Sequence, residues 1–165
     1  MDKTDLRILE LVQTDASRST ADIAEAVGLS PSPCWRRISL LEESGVIRKR
    51  VALLDRDKLG LSVTVIVSVR LTTHGRQSLA DFEERVRTFP QVIQCFTVMG
   101  AIDFVLTVVT TDIRAYERFM REHLSQLPGV QGIESNIVMT TIKDTTALPL
   151  DLVAPTSGAE TRRQR

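Results

Sequence analysis

The chain has 165 residues, enough for one domain or two small ones. Its 21 Lys and Arg balance 21 Asp and Glu, which excludes a bulk, charge-driven nucleic-acid coat, so any DNA contact has to come from local clustering. Cys34 and Cys95 stand far apart and outline neither a disulfide framework nor a zinc site, and no apolar run reaches the ~18 residues of a membrane span. With no basic start leading into an apolar run, a soluble protein of a reducing, cytoplasmic compartment is expected, with no cofactor and no metal.

In chain order, residues 2–13 read as a helix capped by Asp2 or Thr4, with Leu6, Leu9, Val12 and Gln13 inward and Ile8 and Leu11 broadening that side. Residues 14–18 are polar and break it. Ser19 or Thr20 caps a second helix to about Val27, with Ile23, Ala24 and Val27 inward and Gly28 ending it. Residues 30–45 form a third. Ser30 and Ser32 are N-cap candidates, Pro31 or Pro33 suits the first turn, and Gly45 suits a left-handed stop.

At 100° per residue, Cys34, Ile38 and Leu41 fall on one side of this third helix. Ser32, Arg36, Leu40 and Glu43 lie opposite, with Arg37 and Ser39 on the flanks. Two short helices, a Gly-containing turn and a helix with an outward Arg face make a helix-turn-helix, with the third helix reading DNA. An ordinary amphipathic helix with a solvated face is the competing reading. Local charge favours DNA: five basic residues between Arg36 and Arg50 stand against Glu42 and Glu43. Residues 47–54 read as a wing or short strand whose Arg48, Lys49 and Arg50 lie along phosphates. The DNA-contact set is thus Ser30, Ser32, Pro33, Arg36, Arg37, Ser39, Arg48, Lys49 and Arg50. Arg36 is the base reader. Arg37 anchors phosphate or pairs with Glu42 or Glu43, Trp35 packs on the first helix or the wing, and Cys34 is a core residue.

Residues 55–61 read as a linker. The period then changes to two: Val63, Val65, Val67, Val69 and Leu71 alternate with polar positions in a strand over 62–71. Residues 73–75 break it. A helix over 78–89 turns Leu79, Phe82, Val86 and Phe89 inward and stops at Pro90. Strands 92–99 and 104–110 form a hairpin around residues 100–103. Asp112 caps a helix to Gln126 with Ile113, Tyr116, Phe119, Met120 and Leu124 inward, and residues 130–143 are the last strand. The order β-α-β-β-α-β is the ferredoxin-like pattern of an α+β domain. Phe89-Pro90-Gln91-Val92 and Leu127-Pro128-Gly129-Val130 echo each other as related halves would. Domains are therefore drawn at 1–54, 62–148 and a tail over 149–165, with disorder over 155–165.

In such a sheet the helices cover one face. The other carries Thr64, Ile66 and Ser68, either Val105/Val109 or Phe104/Val108, and either Ile137/Met139 or Val138/Ile142. That face is apolar enough to pack on a second copy. A twofold dimer would set two recognition helices about 34–36 Å apart, or a multiple of it, and read a pseudo-palindrome.

Over nearly its whole length the chain resembles the leucine-responsive/asparagine-responsive (Lrp/AsnC) family of transcriptional regulators. The matching stretches are Asp2-Lys3-Thr4-Asp5-Leu6-Arg7-Ile8-Leu9, Ala24-Glu25-Ala26-Val27-Gly28-Leu29-Ser30 and Ser32-Pro33-Cys34-Trp35-Arg36-Arg37-Ile38. They continue with Gly45-Val46-Ile47, Ala52-Leu53-Leu54-Asp55, Gly100 with Asp103, Leu127-Pro128-Gly129-Val130 and Lys143-Asp144-Thr145-Thr146. The resemblance implies an N-terminal winged helix-turn-helix, with the motif over about 20–39, and a C-terminal effector-binding, dimerising domain, often assembled into octamers. It also implies a small-molecule effector, an amino acid, held between subunits by Met99, Gly100, Ala101, Ile102 and Asp103 and by Ser135, Asn136, Ile137 and Val138. Asp103 would hold the ammonium group. The commoner loop of this family is Gly-acidic-aromatic-Asp; here Ala101 and Ile102 replace one carboxylate and one ring. The competing reading of Gly100 and Asp103 is a plain hairpin turn.

Two other functions share parts of this layout: an enzyme resembling the sirohaem decarboxylases, and a low-specificity architectural DNA wrapper. The first needs histidines in the sheet cleft, and only His74 and His123 exist, without partners at useful spacing. No Ser-His-Asp, HExxH, P-loop or GxGxxG arrangement occurs. Zero net charge argues against the second.

Overall fold

The computed structural model describes residues 1–72 and 75–155; the expectation for His74 lies outside them. The chain divides into two compact units, one built from Met1–Leu53 together with the segment from Lys143 onward, the other from Leu54–Ile142.

The first unit holds α1 (Lys3–Thr14), α2 (Thr20–Ala26) and α3 (Pro31–Glu43). Each helix starts where local chemistry satisfies free N–H groups. Asp2 and Asp5 form a reciprocal capping box on α1, and Ser19 and Asp22 form another on α2. Ser30 takes the N-cap position of α3 without a side-chain bond, and the prolines in the first turn leave fewer donors to satisfy. Gly28, at φ +70°, closes α2 by letting Leu29 N–H reach the Ala24 carbonyl at 2.9 Å. Ile8, Leu9, Val12, Ile23, Ala24, Cys34, Ile38 and Leu41 form the core, with Leu11, Val27, Leu29, Ile47 and Leu150 packed around it.

Leu150 comes from the far end of the chain. It sits in a short 3-10 turn (Leu150–Leu152), and the Gln13 amide holds the segment both ways. Gln13 Nε2 donates to the Leu148 carbonyl at 3.0 Å, and Leu148 N–H donates to Gln13 Oε1 at 2.9 Å. By its contacts the chain from Lys143 onward thus joins the first unit as a strap, with Leu150 half-buried and residues 149 and 151–155 exposed; residues 156–165 lie outside the described part.

The segment expected as a wing or short strand stays irregular. No strand forms over 47–54, where residues 48–55 are irregular and exposed. Three basic side chains, Arg48, Lys49 and Arg50, precede the apolar ones there, and the segment pairs with no strand among the described residues. Residues 55–61 are more than a linker: Asp55 Oδ1 accepts Lys58 N–H at 3.1 Å and Leu61 N–H reaches the Arg56 carbonyl at 2.9 Å, closing one helical turn.

The second unit is a four-stranded antiparallel sheet in the order β2-β3-β1-β4, from β1 (Val63–Leu71), β2 (Val92–Thr97), β3 (Phe104–Thr110) and β4 (Val130–Ile137). Helices α4 (Gly75–Val86) and α5 (Ile113–Glu122) connect them, and a 3-10 turn (Leu124–Gln126) follows α5. This is the expected ferredoxin-like order. Its core sets Val65, Val67, Val69, Leu71, Phe104, Leu106 and Val108 against Phe82, Val86, Tyr116, Phe119, Leu124 and Leu127. The rings of Phe82 and Phe104 stack at 4.4 Å. Helix α4 ends before Phe89, α5 leaves Ile113 exposed, and β4 stops at Ile137 instead of 143.

Register settles the open alternatives about the uncovered face. Thr64 faces Val109, Ile66 faces Thr107 and Ser68 faces Val105, so β3 offers Val105, Thr107 and Val109 there and turns Phe104 and Val108 to the helices. Ile66 faces Asn136 and Ser68 faces Glu134. The β4 contribution is therefore Gly132, Glu134 and Asn136, followed by Val138, more polar than the sequence suggested.

Candidate nucleic-acid interface and effector pocket

Helix α3 presents its outward face as expected. Ser32, Pro33, Arg36 and Leu40 are exposed, Ser30 is exposed at the cap, and Ser39 is half-buried. A concavity of ≈ 840 Å³ runs along this face, with Leu40 and Val46 beside Arg36. Cys34 is fully buried, and burial pushes its thiol up, as befits a core residue.

The basic residues divide into two kinds. Arg37 does not meet Glu42 or Glu43. Its Nη1 donates to Asp2 Oδ2 at 2.8 Å and to Asp5 Oδ1 at 2.7 Å. Arg50 takes Glu42, at 3.0 Å. Arg36, Arg48 and Lys49 form no ion pair among the described residues and point their charge at solvent. Trp35 does not pack inward: 61 % of it is exposed, on the same helix. Sequence projection missed Trp35 because an indole placed at a helix boundary can turn either way.

The effector residues do not converge within one chain. Gly100, at φ +143°, gives the hairpin loop a conformation that favours glycine. Asp103 closes the loop: its Oδ2 accepts Leu71 N–H at 2.7 Å and its own N–H donates to the Val69 carbonyl at 2.9 Å. This binds the loop to the end of β1, where Val69 faces Ile133. Asn136 and Ile137 lie at the other end of β4, with Ile137 facing Val65. Four residues of strand, about 13 Å, separate the two groups. Alternation divides the second group again. Ser135, on the helix side, hydrogen-bonds the Tyr116 hydroxyl, while Asn136 faces the open side. Met99 is fully exposed. The loop's neighbours in its own chain are instead Arg70, which donates from Nε to the Ala101 carbonyl at 2.9 Å, and the start of β4.

Two sequence profiles account for both units. Residues 1–48 match a winged helix-turn-helix DNA-binding domain, and residues 64–148 match the Lrp/AsnC ligand binding domain. The chain belongs to the Lrp/AsnC family. Among its relatives, the transcriptional regulator AzlB of Bacillus subtilis is 38% identical over 92% of this chain and 96% of its own. The DNA-binding transcriptional activator DecR of Escherichia coli is 34% identical over 92% and 99%. An AsnC family transcriptional regulator from Agrobacterium tumefaciens superposes with TM-score 0.89 at 44% identity, covering 93% of this chain and 100% of that one. A transcriptional regulator from Neisseria meningitidis, solved with L-Met, superposes with TM-score 0.88 at 36% identity, covering 92% and 97%. This Lrp/AsnC chain is thus a transcriptional regulator with a DNA-binding unit and a ligand-binding unit. No helix among its described residues is long and apolar enough to cross a membrane.

Proposed function

We propose that α3 enters the major groove of a pseudo-palindromic operator, with Arg36 reading a base edge and Ser32, Pro33 and Ser39 beside it. Ser30 and the uncommitted Arg48 and Lys49 contact phosphate; Arg50 joins them by exchanging Glu42 for DNA. Supporting this is one contrast: Arg36 is exposed and unpaired at the centre of the outward face, while its neighbour Arg37 is locked to α1. Two copies pair through the open sheet face, in the cytoplasm, and an amino acid shifts their DNA binding or assembly. The L-Met in the Neisseria meningitidis relative supports that ligand class. Since residues 99–103 and 136–138 stand at opposite ends of one sheet, a second copy has to bring them together if both touch one ligand.

The test is Arg36→Ala against a site recovered by in vitro selection and against random duplex. The expected result is a loss of about 1–3 kcal/mol on the selected site and relaxed preference at one base pair. Equal losses on both duplexes would remove Arg36 as a base reader.

A further inference from the structure

Trp35 is the chain's one tryptophan, and 61 % of it is exposed on α3, next to the exposed Arg36. A single exposed apolar residue is ordinary; its place on this helix is not. At about 100° per residue, Trp35 lies about 100° from Arg36 and about 200° from Arg37, so Trp35 and Arg37 mark opposite flanks of α3. The Arg37 flank is occupied, because its guanidinium is bonded to Asp2 and Asp5 at the start of α1. The Trp35 flank is open. Among the described residues its indole has neither a hydrogen-bond partner nor a ring contact. Ser32, three residues before it, is exposed, and Ser39, four after it, is half-buried. Trp35 therefore stands in a stripe of uncharged side chains between two hydroxyl groups.

Helix α3 lies in the part of the chain that matches a winged helix-turn-helix DNA-binding domain. An α-helix with its side chains is about 10–12 Å across, and the major groove is about 12 Å wide. A helix seated there fills the groove. Side chains at its centre meet the base edges on the floor, and side chains on its flanks meet the walls. Arg36 is central, and Trp35 is on a flank. The wall that Trp35 meets is the sugar and phosphate of one strand. Its rings offer a flat apolar surface to deoxyribose carbons, and its Nε1–H, a donor only, suits a phosphate oxygen. A base edge suits it less, because one donor without an acceptor cannot make a bidentate pair.

We propose that Trp35 is a DNA contact: its rings pack on a deoxyribose of the groove wall, and its Nε1–H donates to an adjacent phosphate. The assignment rests on the reading of α3 as the helix that enters the groove, and adds to that reading a contact without charge. Such a contact releases no counterion, so it holds α3 against the wall without adding to the salt dependence of binding.

The experiment uses the full chain and its tryptophan fluorescence, which reports this side chain alone. Acrylamide, a neutral quencher, is titrated into the free protein and into its complex with a duplex recovered by in vitro selection. Affinities of wild type, Trp35→Ala, Trp35→Phe and Arg36→Ala for that duplex are measured alongside at several salt concentrations. Acrylamide should quench the free protein efficiently and the complex much less. Trp35→Ala should bind about tenfold more weakly than wild type and Trp35→Phe should fall between them, with the slope of log affinity against log salt unchanged. Melting temperatures without DNA should stay the same, since the indole packs on nothing. If Trp35 stays open to acrylamide in the complex while Arg36→Ala weakens binding, the reading of α3 stands and this contact falls. If DNA shields Trp35 but Trp35→Ala binds as tightly as wild type, the ring is merely covered and the contact also falls. If acrylamide cannot reach Trp35 in the free protein, a second copy covers it and the proposal is overturned. Trp35→Phe as tight as wild type would overturn the phosphate bond. If Trp35→Ala does not fold, Trp35→Phe and the shielding decide. If neither Arg36→Ala nor Trp35→Ala weakens binding, both readings fall.

Discussion

Arg37 and Asp5 stand on different helices, and a hydrogen bond of 2.7 Å joins them, with Asp2 completing a three-membered cluster. Asp5 also accepts the Asp2 N–H at 2.8 Å, so the carboxylate that caps α1 is the one that ties α1 to the middle of α3. Arg37 is two-thirds buried and Asp5 more so. The cluster therefore ties α3, and with it the preceding residue Arg36, to α1. Arg37→Ala should cost about 1–2 kcal/mol of stability, the lower part of the range for hydrogen bonds between charged groups because the site is partly wet. It should weaken DNA binding while leaving the salt dependence of binding unchanged, since no phosphate contact is lost. Lys49→Ala, by contrast, should lower the slope of log affinity against log salt by about 0.9. Anisotropy titrations at several salt concentrations separate the two, and a reduced slope for Arg37→Ala would make it a phosphate contact.

The same cluster has a pH signature. The Asp5 backbone N–H, and after it the Arg37 side chain, hold the Asp2 carboxyl below its ordinary value of 3.8. Its folded pKa is depressed, so its contribution is fully present above 3.8 and is lost as pH falls through the lower, folded value. Urea melts between neutral pH and pH 2 should show Asp2→Asn less stable than wild type at neutral pH, with the gap narrowing only at the acid end. A gap independent of pH would show that the carboxylate charge does not matter there.

The strap at the end of the chain gives a third expectation. Gln13 is a half-buried polar position near the end of α1, and both ends of its amide are used by the Leu148 backbone. Leu150 adds partly buried apolar area to the core of Ile8, Leu9 and Ile38. Gln13→Ala and Leu150→Ala should each lower stability by about 1 kcal/mol, and the pair should be less than additive because both release one segment. Chemical melts of the two single variants and the double variant measure this directly.

Those three features mark the limits of the sequence. Helix starts were legible because caps are local: Asp2 with Asp5 and Ser19 with Asp22 are three residues apart. The strand β1 was legible from its alternation, and the family stretches carried the assignment of both units. What connects distant residues was not legible. Arg37 has acidic neighbours at Glu42 and Glu43, and only the packing of α1 on α3 shows that it takes Asp2 and Asp5, more than thirty residues away. The segment after α3 has strand-like composition, but a strand needs a partner and none of the described chain supplies one. Position also divides the effector group within one chain: residues 135–138 read as one patch in sequence, while the pleat sends Ser135 to Tyr116 and Asn136 to the opposite face.

The uncovered sheet face carries the last prediction. Ile66 and Val105 lie half-buried on it with Thr64, Ser68 and Thr107 around them, and Phe96, facing Val105 across the β2–β3 pair, is 54 % exposed. A partner on this face would bury these apolar groups and leave the hydroxyls to hydrogen-bond across the contact. A glutamate at position 66 would instead place an unpaired charge at the centre of the contact, at a cost of several kcal/mol in a dry interface. Ile66→Glu should therefore run as a monomer in sedimentation at concentrations where wild type is a dimer, with its thermal transition retained. Its affinity for a full pseudo-palindromic site should fall towards that for one half-site, because the link between two half-sites is what a dimer adds. A dimeric Ile66→Glu would show that copies of the chain meet through another surface, with both free edges of the sheet, β2 and β4, next in line.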